Sequence, residues 1–286
     1  MWKEEVSLNT PYQWDEVLKR LVHEPTFSVH SAEKRLSIPL YIDEIHAVVK
    51  VKQINDDPVR FEVISEHENK TKILNEISTI LQWETQFEEL HHHLRQTTIA
   101  PLIDLFGHTP ITVSNDPFAC LISCIIHQQI QRTFAIQVTR KFVRMYGERV
   151  GNAWFFPTPE KISSLTIDEL RDLQLSTRKA EYMIGIAKAW SEGVLNHLQY
   201  RSISSEEIAK ELIKLKGVGP WTVENFLLFG LGRKDIFPVG DVGIQIALQK
   251  LLNLDGKPSK EIMEYVKEQV SPFGSYAALY LWKSIE

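Results

Sequence analysis

The sequence predicts an α+β protein, with a small N-terminal α/β domain over residues 1–105 built on an antiparallel sheet with helices, and an all-helical region over 106–286. Three observations carry this reading. The stretches LSIPLYI, HAVVKVKQ and RFEVIS in the first third are rich in β-branched residues, partly alternating, and separated by polar turns such as Asn55-Asp56-Asp57-Pro58. From about residue 100 onward the apolar spacing is helical almost throughout. Between the two lies TTIAPLIDLFGHTPITVSNDP, whose prolines and glycine suit a handover from one unit to another.

Within the first unit, Trp14, Val17, Leu18 and Leu21 follow helical spacing, as do Ile73, Leu74, Ile77, Ile80 and Leu81. In the second, Asp116-Pro117 is a helix start with Asp as N-cap and Pro at the first helical position, ahead of FACLISCII. Cys120 and Cys124 lie on that segment and read as small apolar core residues. His127-Gln128-Gln129-Ile130-Gln131-Arg132 then interrupts the stripe, and Phe134, Ala135, Val138, Phe142 and Val143 resume it. The interruption reads either as a polar turn or as a wedge entering a nucleic-acid duplex. Ser204 and Glu207 have capping-box spacing, and Ile208, Leu212 and Leu215 give that helix one apolar side.

Composition narrows the function class. The chain has 286 residues, 43% apolar and 24% charged, which excludes a disordered or collagen-like chain. No run of eighteen apolar residues offers a membrane span, so no membrane partner is expected. Two cysteines are too few for a disulfide framework, a four-thiolate zinc site or a four-cysteine iron–sulfur cluster. The start, MWKEEVSLN, lacks an apolar signal core, and a cytoplasmic protein is expected. Residues 1–100 carry 11 basic and 17 acidic side chains, net −6, and residues 101–286 carry 21 and 20, net +1. The acidity therefore belongs to the first third. Arg132, Arg140, Lys141, Arg144 and Arg149 stand against Glu148 alone in 117–150, which is either a solvated helix face or a face for a polyanion. His91-His92-His93 reads as surface, because adjacent helical histidines point in different directions.

The most specific stretch is a hairpin at about 205–230. Its first helix must stop at Lys216-Gly217-Val218-Gly219, and Pro220 opens a second helix. The backbone N–H groups around Gly217, Gly219 and the second helix start suit a phosphate oxygen. Carbonyls on the other side of the turn, those of Ile213, Leu215 and Val218, can hold a monovalent cation, Na⁺ or K⁺. A G-x-G corner also serves purely structural ends. Asp241 follows Phe237-Pro238-Val239-Gly240 and precedes a helical run, a place where the macrodipole favours an anion; it reads as an N-cap or as a carboxylate poised to stabilise a cationic sugar.

The stretch LKGVGPWTVENFLLFGLGRKDIFPVGDVGIQIAL resembles the helix-hairpin-helix plus Gly/Pro-Asp signature of the base-excision DNA glycosylase superfamily. IIHQQIQRTFA is similar to its helix–loop–helix bearing an intercalating residue, and LSTRKAEYMIGIAKA to the helix before its hairpin. PYQW (11–14) and the final LW (281–282) resemble the 3-methyladenine DNA glycosylase II branch. The resemblance implies a monomeric enzyme of base excision repair acting on double-stranded DNA with alkylated bases such as 3-methyladenine or 7-methylguanine. It needs no cofactor, and the missing cysteines exclude the iron–sulfur loop of some relatives. It implies Asp241 as the catalytic carboxylate, Trp221 and Trp282 as the base pocket, Gln129 or Ile130 as the duplex wedge, and Lys216, Gly217, Gly219 and Thr222 as phosphate contacts. Core roles for the two tryptophans stay open, as do phosphate or surface roles for Arg178 and Lys179. Superfamily members that also nick the backbone carry a lysine in the first turn of the hairpin's second helix; Trp221 stands there, implying base release without lyase activity. At Asn225 and Val242, where the branch can carry further aromatics, this chain has none, which leaves the range of bases open between alkylated, deaminated and oxidised purines. A non-catalytic protein using the hairpin only as a phosphate clamp is the rival from another class.

Overall fold

The β-branched stretches of the first third pair as an antiparallel sheet in the order β1-β5-β4-β3-β2, with β1 Trp2–Ser7, β2 Ser28–His30, β3 Arg35–Ile42, β4 Ile45–Asp56 and β5 Val59–Ser65. The computed structural model describes every residue but Asn196 and the side chain of Leu198. Strands β1 and β2 at the two edges were not anticipated from the sequence; β1 runs against β5 with Trp2 opposite Ser65 and Ser7 opposite Arg60. One face of the sheet is closed by α1 Trp14–Leu21 and α2 Lys70–Leu81, which turn Trp14, Val17, Leu18, Leu21, Ile73 and Ile77 onto Leu36, Ile38, Val49, Val51, Phe61 and Val63. Trp14 meets Phe61 edge to face at 5.0 Å. Each fully buried aliphatic side chain there stabilises the fold by about 1.5–3 kcal/mol.

Strand β3 is buried at nearly every position, whereas β4 alternates. The reason is a second cover on the far face, which appears where the sequence predicted only helices. A short hairpin, β6 Glu148–Val150 and β7 Ala153–Phe155, follows α5 Pro117–His127 and α6 Arg132–Tyr146. It docks on the sheet through a stack of Phe155 on His46 at 4.1 Å and a hydrogen bond from Asn152 Nδ2 to Ser37 Oγ at 3.1 Å. The 106–286 region is thus not wholly helical: its two-stranded hairpin covers the far face of the sheet at Ser37 and His46.

Packing also places the handover earlier than residue 105. The core under the sheet ends at Trp83, and α3 Phe87–Leu94 and α4 Ala100–Phe106 bury Phe87, Leu90, Leu94, Leu102 and Ile103 in a different core. That core is shared with α12 Val242–Leu251, α13 Lys260–Val270 and α14 Gly274–Lys283, which follow below. The helical period also corrects the reading of the histidine tract. His91 falls on the Phe87–Leu90–Leu94 face and is buried against His108 at 4.7 Å, and burial pushes its pKa down to about 4. His93 Nε2 lies 2.9 Å from the Gln269 carbonyl, and of the three only His92 is exposed.

A third core gathers α5, α6, α7 Pro159–Ser163, α8 Ile167–Arg171, α9 Thr177–Ser191, α10 Ser205–Leu212 and α11 Pro220–Asn225, with free Cys120 and Cys124 buried inside it. Asp116 caps α5 by accepting from the N–H groups of Phe118 and Ala119 at 2.9 and 3.2 Å. The N-terminal unit is tied to the helices by Gln13, which donates to the Gly107 carbonyl and accepts from Thr109 Oγ1, and by an ion pair of Lys283 with Glu16. Among the described residues no helix is long and apolar enough to cross a membrane.

Because Leu94 belongs to the core of α12–α14 and not to the sheet, Leu94→Ala should destabilise the protein by about 2–5 kcal/mol. Native-state hydrogen exchange should quicken in α14 before it does in β3–β5; the reverse order would return α3 to the N-terminal unit.

Candidate active site

The site forms where the two helical cores meet. Helix α10 starts with the predicted capping box: Ser204 Oγ accepts from Glu207 N at 3.2 Å, and Glu207 Oε2 accepts from Ser204 N at 3.0 Å. The chain turns at Gly217, whose φ of +91° lies in the left-handed region and whose Cβ, were there one, would fall 2.2 Å from the ring of Tyr182. Gly217 is therefore required twice over, and Tyr182 covers it. Gly219 is different: its backbone is extended, and no atom lies within 4 Å of where a Cβ would sit. Of the two glycines, Gly219 keeps the approach to the backbone clear. The first N–H to find a backbone partner beyond it is that of Val223, bonded to the Gly219 carbonyl at 3.1 Å, so the opening turn of α11 presents the unpaired donors usual at a helix start.

Helix α11 continues as a π-type turn, Phe226–Gly230. A loop then leads to Asp241 and is anchored at both ends. Arg233 Nη2 donates to the Tyr200 and Ile203 carbonyls at 2.7 Å, and Ser275 Oγ on α14 donates to the Arg233 carbonyl and accepts from Ile236 N. Asp241 is the N-cap of α12, with Oδ1 accepting from Ile244 N at 3.0 Å. It does more than cap. Oδ1 also accepts from Trp282 Nε1 at 2.9 Å, and Oδ2 accepts from Trp221 Nε1 at 2.7 Å. Gly243 makes this fit: a Cβ there would sit 3.0 Å from both Asp241 Oδ1 and Trp282 Cδ1. Trp221 packs on one helical core and Trp282 on the other, and both remain half-buried. The structure thus brings Asp241, Trp221 and Trp282 into one cluster through their polar edges.

The turn between α5 and α6 is stapled to the hairpin by Gln128, a residue the sequence did not single out. Its Nε2 donates to the Gly217 carbonyl and to Thr222 Oγ1, both at 2.8 Å. Thr222 is buried, with its hydroxyl engaged by that bond, so its side chain is not the phosphate contact expected. Lys179 is neither a surface charge nor a phosphate contact: its Nζ donates to the Ile126 and Gln128 carbonyls at 2.6 and 2.7 Å, closing the C-terminus of α5. Arg178 is exposed. Gln129 is exposed with φ of +55°, while Ile130 beside it is half-buried. Lys216 is exposed and pairs with Glu181 at 3.0 Å, a surface contact easily exchanged. Of the three carbonyls suggested for a cation, that of Leu215 already accepts from Val218 N at 3.1 Å. Asn225 is buried and donates to the Trp221 backbone carbonyl at 2.8 Å, and Val242 is exposed.

Residues 122–272, more than half the chain, match the family described as the HhH-GPD superfamily of base excision DNA repair proteins. The chain belongs to that superfamily. It is 37% identical over the whole of both chains to YfjP of Bacillus subtilis, provisionally named a DNA-3-methyladenine glycosylase. It is 28% identical to the DNA-3-methyladenine glycosylase of the same organism, across 85% of this chain and 83% of that one. Among solved structures it is similar to the 3-methyladenine DNA-glycosylase from Archaeoglobus fulgidus, with a TM-score of 0.86, 26% identity, and 99% and 97% of the two chains covered.

One titratable neighbour in this HhH-GPD site gave no sequence signal. Glu224, three residues after Trp221, has its pKa raised to about 7, chiefly by burial and further by the negative charges of Asp241 and Glu264, against the opposing pull of Lys267. A carboxyl with a raised folded-state pKa contributes its full share of stability below the unfolded value near 4.5, and that share is lost as pH rises through about 7. Glu224→Gln should therefore raise the Tm at pH 8 by about 2 °C and leave it unchanged at pH 4, as read by melting at the two pH values. Equal shifts at both would place the carboxyl in an ordinary solvated setting.

Proposed function

We propose that this HhH-GPD protein is a monofunctional DNA glycosylase that hydrolyses the N-glycosidic bond of alkylated purines, of the 3-methyladenine and 7-methylguanine type, flipped out of duplex DNA. The observation that carries the reading is the Asp241 carboxylate, held at a helix N-terminus by donors alone and set beside the glycine corner. The relatives named as 3-methyladenine glycosylases over most or all of the chain support the substrate class. The Schizosaccharomyces pombe 3-methyladenine DNA glycosylase in complex with abasic DNA, 29% identical over 68% of this chain with a TM-score of 0.62, supports DNA as the partner.

The chemistry follows from the side chains. When the C1′–N bond breaks, its electron pair leaves with the base and the sugar takes up positive charge. A carboxylate already fixed by three donors does not have to reorganise as that charge develops. Water supplies the oxygen that closes the reaction at C1′ and gives up a proton. The cationic ring of an alkylated purine is attracted to indole surface, which Trp221 and Trp282 supply. Exposed Gln129 fills the gap left in the duplex, in preference to half-buried Ile130. Gly219 and the first turn of α11 take a backbone phosphate with Lys216 at its flank, and the carbonyls of Ile213, Leu215 and Val218 hold Na⁺ or K⁺ behind it. With Trp221 where a Schiff-base lysine would stand, the product is an abasic site.

Asp241→Asn turns an N–H₂ toward one of the indole donors, so it loses the acceptor as well as the charge. Release of bases from methylated DNA, read by mass spectrometry, should fall about 100-fold or more, while binding to an abasic duplex persists. Equal release by both proteins would remove Asp241 from the chemistry. Borohydride should trap no covalent adduct between the wild-type protein and DNA; a trapped adduct would establish lyase activity.

A further inference from the structure

We propose that Arg20, carried in on α1 of the N-terminal unit, selects the excised base by donating a hydrogen bond to a keto oxygen at the purine 6-position. Guanine-type lesions are then favoured over adenine-type lesions of the same charge. The inference rests on the glycosylase reading above and adds a specificity residue to it. The Arg20 guanidinium lies over the Phe229 ring at 4.4 Å, Phe229 lies 5.6 Å from Trp282, and Trp282 is bonded to Asp241. A side chain from the sheet-bearing unit therefore stands two aromatic rings away from the catalytic carboxylate.

Arg20 is also unpaired. Its Nη1 is fully covered without any hydrogen-bond partner, and among the described residues no other N–H of this side chain is bonded and no carboxylate comes within ion-pair distance. Glu24 and Glu286 are near enough to interact with its charge, but Glu286 is committed to Arg132 at 2.5 Å. Buried donors are nearly always satisfied, so the covered Nη1 marks a guanidinium short of protein partners, and its other N–H groups, which are not covered, are the ones that an acceptor arriving with the ligand would meet. Burial lowers its pKa to about 10, which leaves it charged at neutral pH. The side chain as a whole remains partly exposed, so an incoming group has access to it.

The acceptor follows from the donor. A guanidinium has five N–H donors and no acceptor. At the purine 6-position guanine offers a carbonyl oxygen, and adenine offers an amino group that would meet N–H with N–H. Both 3-methyladenine and 7-methylguanine are cationic, so repulsion from Arg20 is common to the two and cancels when they are compared. A phosphate would also accept from Arg20, but the stacking on Phe229 beside Trp282 places the guanidinium with the base-binding rings.

The test is the ratio of the two bases released from one preparation of methylated DNA, quantified by mass spectrometry for wild type, Arg20→Met and Arg20→Lys. The 7-methylguanine to 3-methyladenine ratio should fall about tenfold in Arg20→Met, equivalent to about 1.4 kcal/mol, and by less in Arg20→Lys, which keeps a donor. Because the ratio is internal to each sample, partial loss of folded enzyme does not alter it. An unchanged ratio in both variants overturns the role of Arg20 while the glycosylase reading stands. Equal loss of both bases with a shallower salt dependence also overturns it, in favour of a phosphate contact. Release of neither base by the wild-type protein overturns both readings.

Discussion

One carboxylate ties the molecule together. Asp241 receives Trp221 from the hairpin side and Trp282 from the last helix, and each indole is packed on a different hydrophobic core. The two helical cores therefore meet in a pair of hydrogen bonds to a group that also caps α12. Hydrogen bonds to a carboxylate are stronger than those between neutral groups, roughly twice so, and two rigid indoles leave it little freedom. Donors that carry no formal charge, indole and backbone N–H alike, hold the carboxylate without neutralising it.

The surrounding structure serves the same constraint. The loop from Gly230 to Asp241 has no regular structure, yet Arg233 and Ser275 pin it to carbonyls and N–H groups on both sides. Gln128 and Lys179 do for the α5–α6 turn what Ser275 does for the loop: they take up backbone carbonyls left at the end of a helix and at the glycine corner. Hairpin, α5–α6 turn and carboxylate are thereby fixed to one another by polar bonds laid between apolar cores. The N-terminal unit joins this arrangement through two side chains of α1, Arg20 over the Phe229 ring and Glu16 paired with Lys283.

Much of this was legible from residue order. Capping at Asp116 and Ser204, the glycine turn, the helix starting after Asp241 and the three long strands each rest on contacts between residues close in sequence, and local geometry decides them. What escaped were pairings across long separations. Thr222 looked like a free hydroxyl at a helix start and is instead engaged by Gln128, 94 positions away. Lys179, open between a phosphate contact and a surface charge, closes a helix 51 to 53 positions earlier. The β6–β7 hairpin is too short to show an alternating pattern, and it exists because the sheet has a second face to cover.

By itself the sequence determined the hairpin and the helix start at Asp241, because each is written in spacing that a helix start or a turn enforces locally, and the α+β class through its strand and helix periods; the two tryptophans came from the family resemblance. Only the tertiary structure decided which edge of each indole meets Asp241, that Gly219 and not Gly217 is the open glycine, and that Arg20 reaches Phe229 from another unit. Those outcomes depend on where separate elements come to rest. That is set by the filling of three cores and the satisfaction of buried donors, quantities that no single stretch of chain contains.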